Sequence, residues 1–71
     1  MTVVLEVRDS LNQLLPQYGF TLDQDRHDDY TDLARIILQT VRDDDWRAHS
    51  VQFSVAGRPV GTAVHDFADA A

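Results

Sequence analysis

The three histidines, His27, His49 and His65, are the side chains of this sequence with the most versatile chemistry. None of them forms a His-x-x-x-His pair or a zinc-binding motif flanked by glutamate. His49 and His65 flank a predicted hairpin and would approach one another if its strands pair, with Asp66 adjacent. We interpret them as polar residues at strand ends. The sequence therefore predicts no catalytic residues and no enzyme.

The stretch Asp23–Asp29 carries an acid or a histidine at every second position, a spacing that calcium loops use for their oxygen ligands. Two positions depart from that pattern. Asp28 stands where a calcium loop needs glycine, and Ala34 stands where it needs a bidentate glutamate. The absence of cysteine removes disulfides and thiolate ligands. We therefore predict a solvated acidic loop, no metal and no cofactor.

The charge composition narrows the possible partners. Eleven Asp and one Glu oppose six Arg and no Lys, which leaves a formal net charge of −6. DNA affinity comes largely from cations that neutralise phosphates, and no two arginines are adjacent. The composition thus disfavours nucleic acid and favours a larger protein with a basic surface.

The same composition bears on location. No apolar run approaches the roughly 20 residues that cross a bilayer, and no basic segment precedes the apolar start. We expect no membrane partner and a cytoplasmic protein. The bias toward Arg and Asp suggests a prokaryotic source with GC-rich codons, or its phage.

The segment Asp43-Asp44-Asp45-Trp46-Arg47 combines acids with the only tryptophan. Trp and Arg are enriched at the hot spots of protein interfaces, so one interpretation is a partner-binding site. The preferred interpretation is that Trp46 caps a small core as the chain turns from helix to strand.

The N-terminal segment fits two secondary structures. A spacing of three and four residues predicts an amphipathic helix, which would end near Leu15 because Pro16 disfavours helix in the residue before it. That spacing joins Val4, Val7, Leu11, Leu14 and Tyr18. The alternative is a strand over Thr2–Val7, where apolar residues alternate. The helix is preferred because its pattern covers more residues.

The rest of the chain predicts a second helix and a hairpin. The apolar face of this helix comprises Tyr30, Leu33, Ala34, Ile37 and Val41. Alternation over Ser50–Val64, with a turn at Ala56–Pro59, predicts two paired strands. The predicted fold is a single α+β domain over 1–71, with order ααββ, whose hairpin a dimer would extend to a four-stranded sheet. The alternative order is βααββ.

Apolar residues displaced from the predicted helix faces suggest contact with another chain. Ile36 lies far from the main face of the second helix, and Leu5 is similarly displaced on the first. A domain this small gains buried area most easily by pairing, so we expect a homodimer. The candidate partner-binding residues are Asp23, Asp25, Asp32, Ile36, Asp43, Asp44, Asp45 and Trp46.

The predicted function is a small acidic protein-binding module that acts as an inhibitor, an antitoxin-like protein or an adaptor. One alternative is a reduced winged-helix DNA-binding regulator, with Arg58 at the tip of the wing. Another is an accessory subunit of an enzyme, with His49, His65 and Asp66 at a subunit interface.

Overall fold

The computed structural model describes residues 2–23 and 29–65 of the chain. Along the chain the elements are strand β1 (Thr2–Asp9), a 3₁₀ turn (Pro16–Tyr18), strand β2 (Phe20–Asp23), helix α1 (Thr31–Asp44), strand β3 (Ala48–Val55) and strand β4 (Arg58–Val64). The strands form one antiparallel sheet in the order β2-β1-β3-β4. Helix α1 packs on one face of it, mainly over β3 and β4.

The prediction of an N-terminal helix is wrong, because Thr2–Asp9 is a strand. Val3, Leu5 and Val7 are 1%, 2% and 0% exposed, so the alternating residues form the core. Leu11, which the helical spacing placed on a buried face, is 77% exposed. The order βααββ is also wrong, since the described residues contain a single α-helix. The winged-helix interpretation loses its premise, because no α-helix precedes α1 within the described residues.

Strand β1 lies in the middle of the sheet, which explains why the chain needs no second copy to build four strands. Leu5 pairs with Phe20 on β2 and with Phe53 on β3. The predicted extension of the hairpin across a dimer is therefore wrong. Leu5 itself is a core residue and not a contact to a partner chain.

The face of the sheet away from α1 is largely polar. Glu6, Gln52 and Thr62 lie side by side on β1, β3 and β4, and Arg8 donates to the Glu6 carboxylate at 3.0 Å. Antiparallel sheets commonly leave one face in contact with water.

Helix α1 confirms the prediction of a helix in the middle of the chain, with a shifted buried face. Ala34, Leu38 and Val41 are its buried residues, whereas Leu33 is 40% exposed. At its start the Asp29 carboxylate accepts hydrogen bonds from the Thr31 amide and hydroxyl groups. The Thr31 amide has no acceptor within the helix, so this bond satisfies it. These bonds lower the pKa of Asp29, the hydroxyl bond most strongly.

The predicted C-terminal hairpin is confirmed as β3 and β4. Its turn places Ala56 and Gly57 at φ values of 51° and 80°, and two consecutive positive φ angles are typical of tight hairpin turns. Tyr30 ties α1 to this hairpin. Its amide donates to the Val60 carbonyl at 2.9 Å, and its ring stacks on Phe53 at a centroid distance of 5.1 Å.

Candidate functional site

Trp46 lies in the turn between α1 and β3 and is 77% exposed. The interpretation that Trp46 caps the core is therefore wrong. Leu11, at the tip of the β1–β2 connection, is also 77% exposed. Between these elements is a shallow cleft lined by Ser10, Arg42, Trp46, Arg47 and His49. We call Leu11 together with these five residues the Trp46 surface.

The backbone that carries Trp46 is held by two arginines. Arg42 Nη1 donates to the carbonyl oxygens of Trp46 at 3.1 Å and of Ala48 at 2.5 Å. Arg47 donates to the Asp45 carboxylate from Nε at 2.9 Å and from Nη2 at 2.6 Å. This bidentate bond holds the pKa of Asp45 at about 2, below its ordinary 3.8. The turn is thus cross-linked by charge-assisted bonds, while the indole remains exposed to solvent.

The loop that carries Leu11 is fixed in the same way. The Asp9 carboxylate accepts hydrogen bonds at 2.9 Å from the amides of Leu11 and Gln13. Asn12 takes a φ of 63°, a value that asparagine tolerates better than most residues. Both exposed apolar side chains of the surface are therefore presented by constrained backbone.

Several charged side chains around Trp46 already form hydrogen bonds or ion pairs within the protein. The guanidinium of Arg42 is bonded to carbonyl groups and that of Arg47 to Asp45. Asp44 accepts a hydrogen bond from the Tyr18 hydroxyl at 2.7 Å, which raises the pKa of Tyr18 to about 12. Asp43 is exposed and forms no ion pair with any residue of 2–23 or 29–65. Arg47 and Asp45 thus compensate one another, Arg42 keeps its positive charge within the cleft, and Asp43 and Asp44 keep their negative charges at the end of α1.

The predicted partner-binding residues fall into two groups. Asp43, Asp44, Asp45 and Trp46 are contiguous at the C-terminal end of α1. Asp32 and Ile36 lie nearer its N-terminal end; eleven residues of helix separate Asp32 from Asp43, or about 16 Å at 1.5 Å per residue. The structure therefore brings together half of the predicted set.

The other four predicted residues do not belong to the cluster at the C-terminal end of α1. Asp32 pairs with Arg35 at 3.0 Å, and both side chains are exposed. Ile36 is 60% exposed, and Asp23 is exposed at the end of β2. Asp25 lies outside the described residues. Sequence reasoning missed Leu11 and Phe20, because both needed the β1–β2 hairpin to be recognised first.

The two histidines beside the hairpin do approach one another, as predicted. Their ring centroids are 6.4 Å apart at an interplanar angle of 78°, and the amide of His65 donates to the carbonyl of His49 at 2.8 Å. Asp66 and His27 lie outside the described residues. Among the residues that the structure does describe, no three of His, Cys, Asp or Glu are grouped to hold a metal ion.

Helix α1 has 14 residues, and no helix of the described segments has the length and apolar character needed to span a bilayer. Comparisons with protein-family models, curated proteins and solved structures find no match to this chain.

Proposed function

We propose that this protein is a small acidic protein-binding module whose Trp46 surface contacts a larger protein. The observation that carries the proposal is the 77% exposure of its only tryptophan. A small domain needs its large apolar side chains for the core. We therefore attribute the exposed indole to contact with another protein. Trp is among the residues most enriched at interface hot spots.

The constrained backbone supports this proposal. Binding costs free energy when loops and side chains must be ordered. The bonds from Arg42 and Arg47, and those to Asp9, hold the two segments that present Trp46 and Leu11. A surface prepared in this way loses less entropy on binding.

Charge supports a basic partner. The formal net charge of −6 would speed encounter with a positively charged surface. Asp43, which borders the Trp46 surface, offers a carboxylate to an incoming cation. We propose that the module works in the cytoplasm as an inhibitor, an antitoxin-like protein or an adaptor, and that it is a homodimer.

The proposal is tested by comparative capture from lysate of the source cells. The immobilised baits are the wild type, Trp46→Ser and the control Val64→Ser, which changes another exposed apolar residue, 59% exposed, on β4. We expect one protein to be retained by the wild type and by the control, lost by Trp46→Ser, and retained less as salt rises. Equal retention by all three baits, or no retention by the wild type at low salt, contradicts the proposal.

A further inference from the structure

The two edges of the sheet differ in their capacity to accept another strand. Edge β4 is obstructed: Pro59 has no amide hydrogen, and the Val60 carbonyl already accepts the Tyr30 amide at 2.9 Å. Edge β2, with the sequence Phe-Thr-Leu-Asp, contains no proline or lysine. Among the strands of residues 2–23 and 29–65, it is the last one on its side of the sheet. Such an edge is a template for pairing.

The hydrogen bonds of the β1–β2 hairpin show which groups of β2 face outward. The Val7 carbonyl accepts the Leu15 amide at 2.8 Å, so Val7 directs its backbone groups toward the β2 side. Backbone direction alternates along a strand. Residues 3 and 5 therefore share hydrogen bonds with their partners, Leu22 and Phe20. Thr21, between them, directs its amide and carbonyl away from β1.

Exposed apolar side chains occur both on β2 and on α1. Phe20 is 44% exposed, and Leu33 and Ile36 on α1 are 40% and 60% exposed. The bond from Tyr18 to Asp44 identifies the side of α1 that faces the β1–β2 hairpin. Leu33 is eleven residues, or three turns, before Asp44 and lies on that same side. Helix α1 packs mainly over β3 and β4, so Phe20 is the exposed apolar side chain that lies on the β2 edge itself.

We propose that β2 pairs antiparallel with β2 of a second copy, with Thr21 on the two-fold axis. This register places Phe20 of each copy opposite Leu22 of the other, on the face that carries α1. Aromatic and aliphatic pairs across strands stabilise a sheet. Asp23 then opposes Gly19, so the two Asp23 carboxylates do not face one another.

A second copy fits this edge because the contact is self-complementary. Pairing about a two-fold axis uses the same patch on both subunits and joins two four-stranded sheets into one of eight strands. The smallest class of specific interface takes roughly 600 Å² from each partner, about an eighth of the 4930 Å² accessible surface of the chain. A four-residue edge with one exposed aromatic side chain is small even by that measure. The dimer therefore dissociates on dilution.

The decisive experiment is cross-linking through Thr21→Cys, since the chain has no cysteine of its own. Hydrogen-bonded antiparallel residues have Cα atoms about 5.5 Å apart, within the disulfide range of about 4.4–6.8 Å. The control is Thr62→Cys, an exposed threonine on the opposite edge strand. Under mild oxidation we expect Thr21→Cys to form covalent dimer at least about tenfold faster, because pairing raises the effective thiol concentration. Equal rates for the two variants overturn the proposal.

Sedimentation of the wild type from micromolar to millimolar concentration completes the test. This inference rests on the proposed homodimer and is independent of the partner of Trp46. A dimer at high concentration, with selective cross-linking at position 21, supports it. A dimer without that cross-link overturns this interface and leaves the homodimer standing. A monomer at every concentration overturns both, whereas the capture experiment with Trp46→Ser is unaffected.

Discussion

Gly61 is the position where one added carbon should destabilise this fold most clearly. A Cβ atom there would lie 2.5 Å from the Tyr30 carbonyl carbon and 2.7 Å from the Thr31 nitrogen. These neighbours are backbone atoms at the start of α1. Ordinary contact needs about 1 Å more, so Gly61→Ala must move the helix away from β4.

Overpacking of this kind costs about 1–3 kcal/mol. The displacement also strains the bond from the Tyr30 amide to the Val60 carbonyl, worth about 1 kcal/mol. Alanine recovers about 0.4–1 kcal/mol by restricting the unfolded chain. The net expectation for Gly61→Ala is a loss of about 1–3 kcal/mol in the free energy of unfolding, with a fall in Tm of about 4–8 °C for each kcal/mol.

The assay is urea unfolding followed by far-ultraviolet circular dichroism, because the exposed Trp46 reports poorly on core formation. Thr62→Ala, at the adjacent exposed position, is the matched control and should stay within about 0.5 kcal/mol of wild type. If Gly61→Ala loses less than the control, the close approach of α1 to β4 is refuted.

Three further predictions concern the core and the titrating groups. Leu5→Ala should lose about 2–5 kcal/mol in urea unfolding, and Ile36→Ala, at an exposed site, less than about 1 kcal/mol; equal losses would contradict the assignment of Leu5 to the core. The pKa of Tyr18 should be about 12, measured by phenolate absorbance, and Asp44→Asn should bring it back toward 10; because folding raises this pKa, its stabilisation is present below pH 10 and lost between pH 10 and 12. The Asp45 pKa of about 2, against an ordinary 3.8, reflects the bidentate bond to its guanidinium partner; its stabilisation is present above pH 3.8 and lost as pH falls toward 2. Asp45→Asn should flatten unfolding stability in that window, and an unchanged pH profile would contradict the ion pair.

The amino-acid sequence predicted the second half of the fold because that half depends on local patterns. The hairpin of β3 and β4 follows from alternation around a turn containing Gly57, and α1 follows from a helical repeat. The buried face of α1 was shifted, since Leu38 is 5% exposed and Leu33 is 40% exposed. Such a shift depends on how the helix packs over β3 and β4. A helical repeat in the sequence does not determine that packing.

The first half was mispredicted because two periodicities overlap there. Val7 belongs to both the helical spacing and the alternating one. The pairing of β1 with β3, from Val3 with Val55 to Asp9 with Ala48, joins residues that are far apart in the sequence and decides between the two periodicities. Tertiary contacts of this range override local preference. Once β1 is a strand, Leu11 moves from a predicted buried face to a hairpin tip.

The burial of Trp46 was predicted wrongly from the sequence. The sequence singles out the segment Asp43–Trp46, but it assigns Trp46 to the core on the ground that a small domain needs its tryptophan there. In the structure Val3, Leu5, Val7, Val51 and Phe53 fill that core, each 2% exposed or less. The core is complete without the indole, a result of pairing β1 between two strands.

The proposed function depends on the exposure of Trp46, which acrylamide quenching of tryptophan fluorescence measures without interference because the chain has a single tryptophan. The quenching constant should be nearly the same in the native protein and in the urea-unfolded chain, because the native residue is already 77% exposed. A native constant several times lower, together with a blue-shifted emission, would show a buried indole. That result would contradict both the Trp46 surface and the function proposed for it.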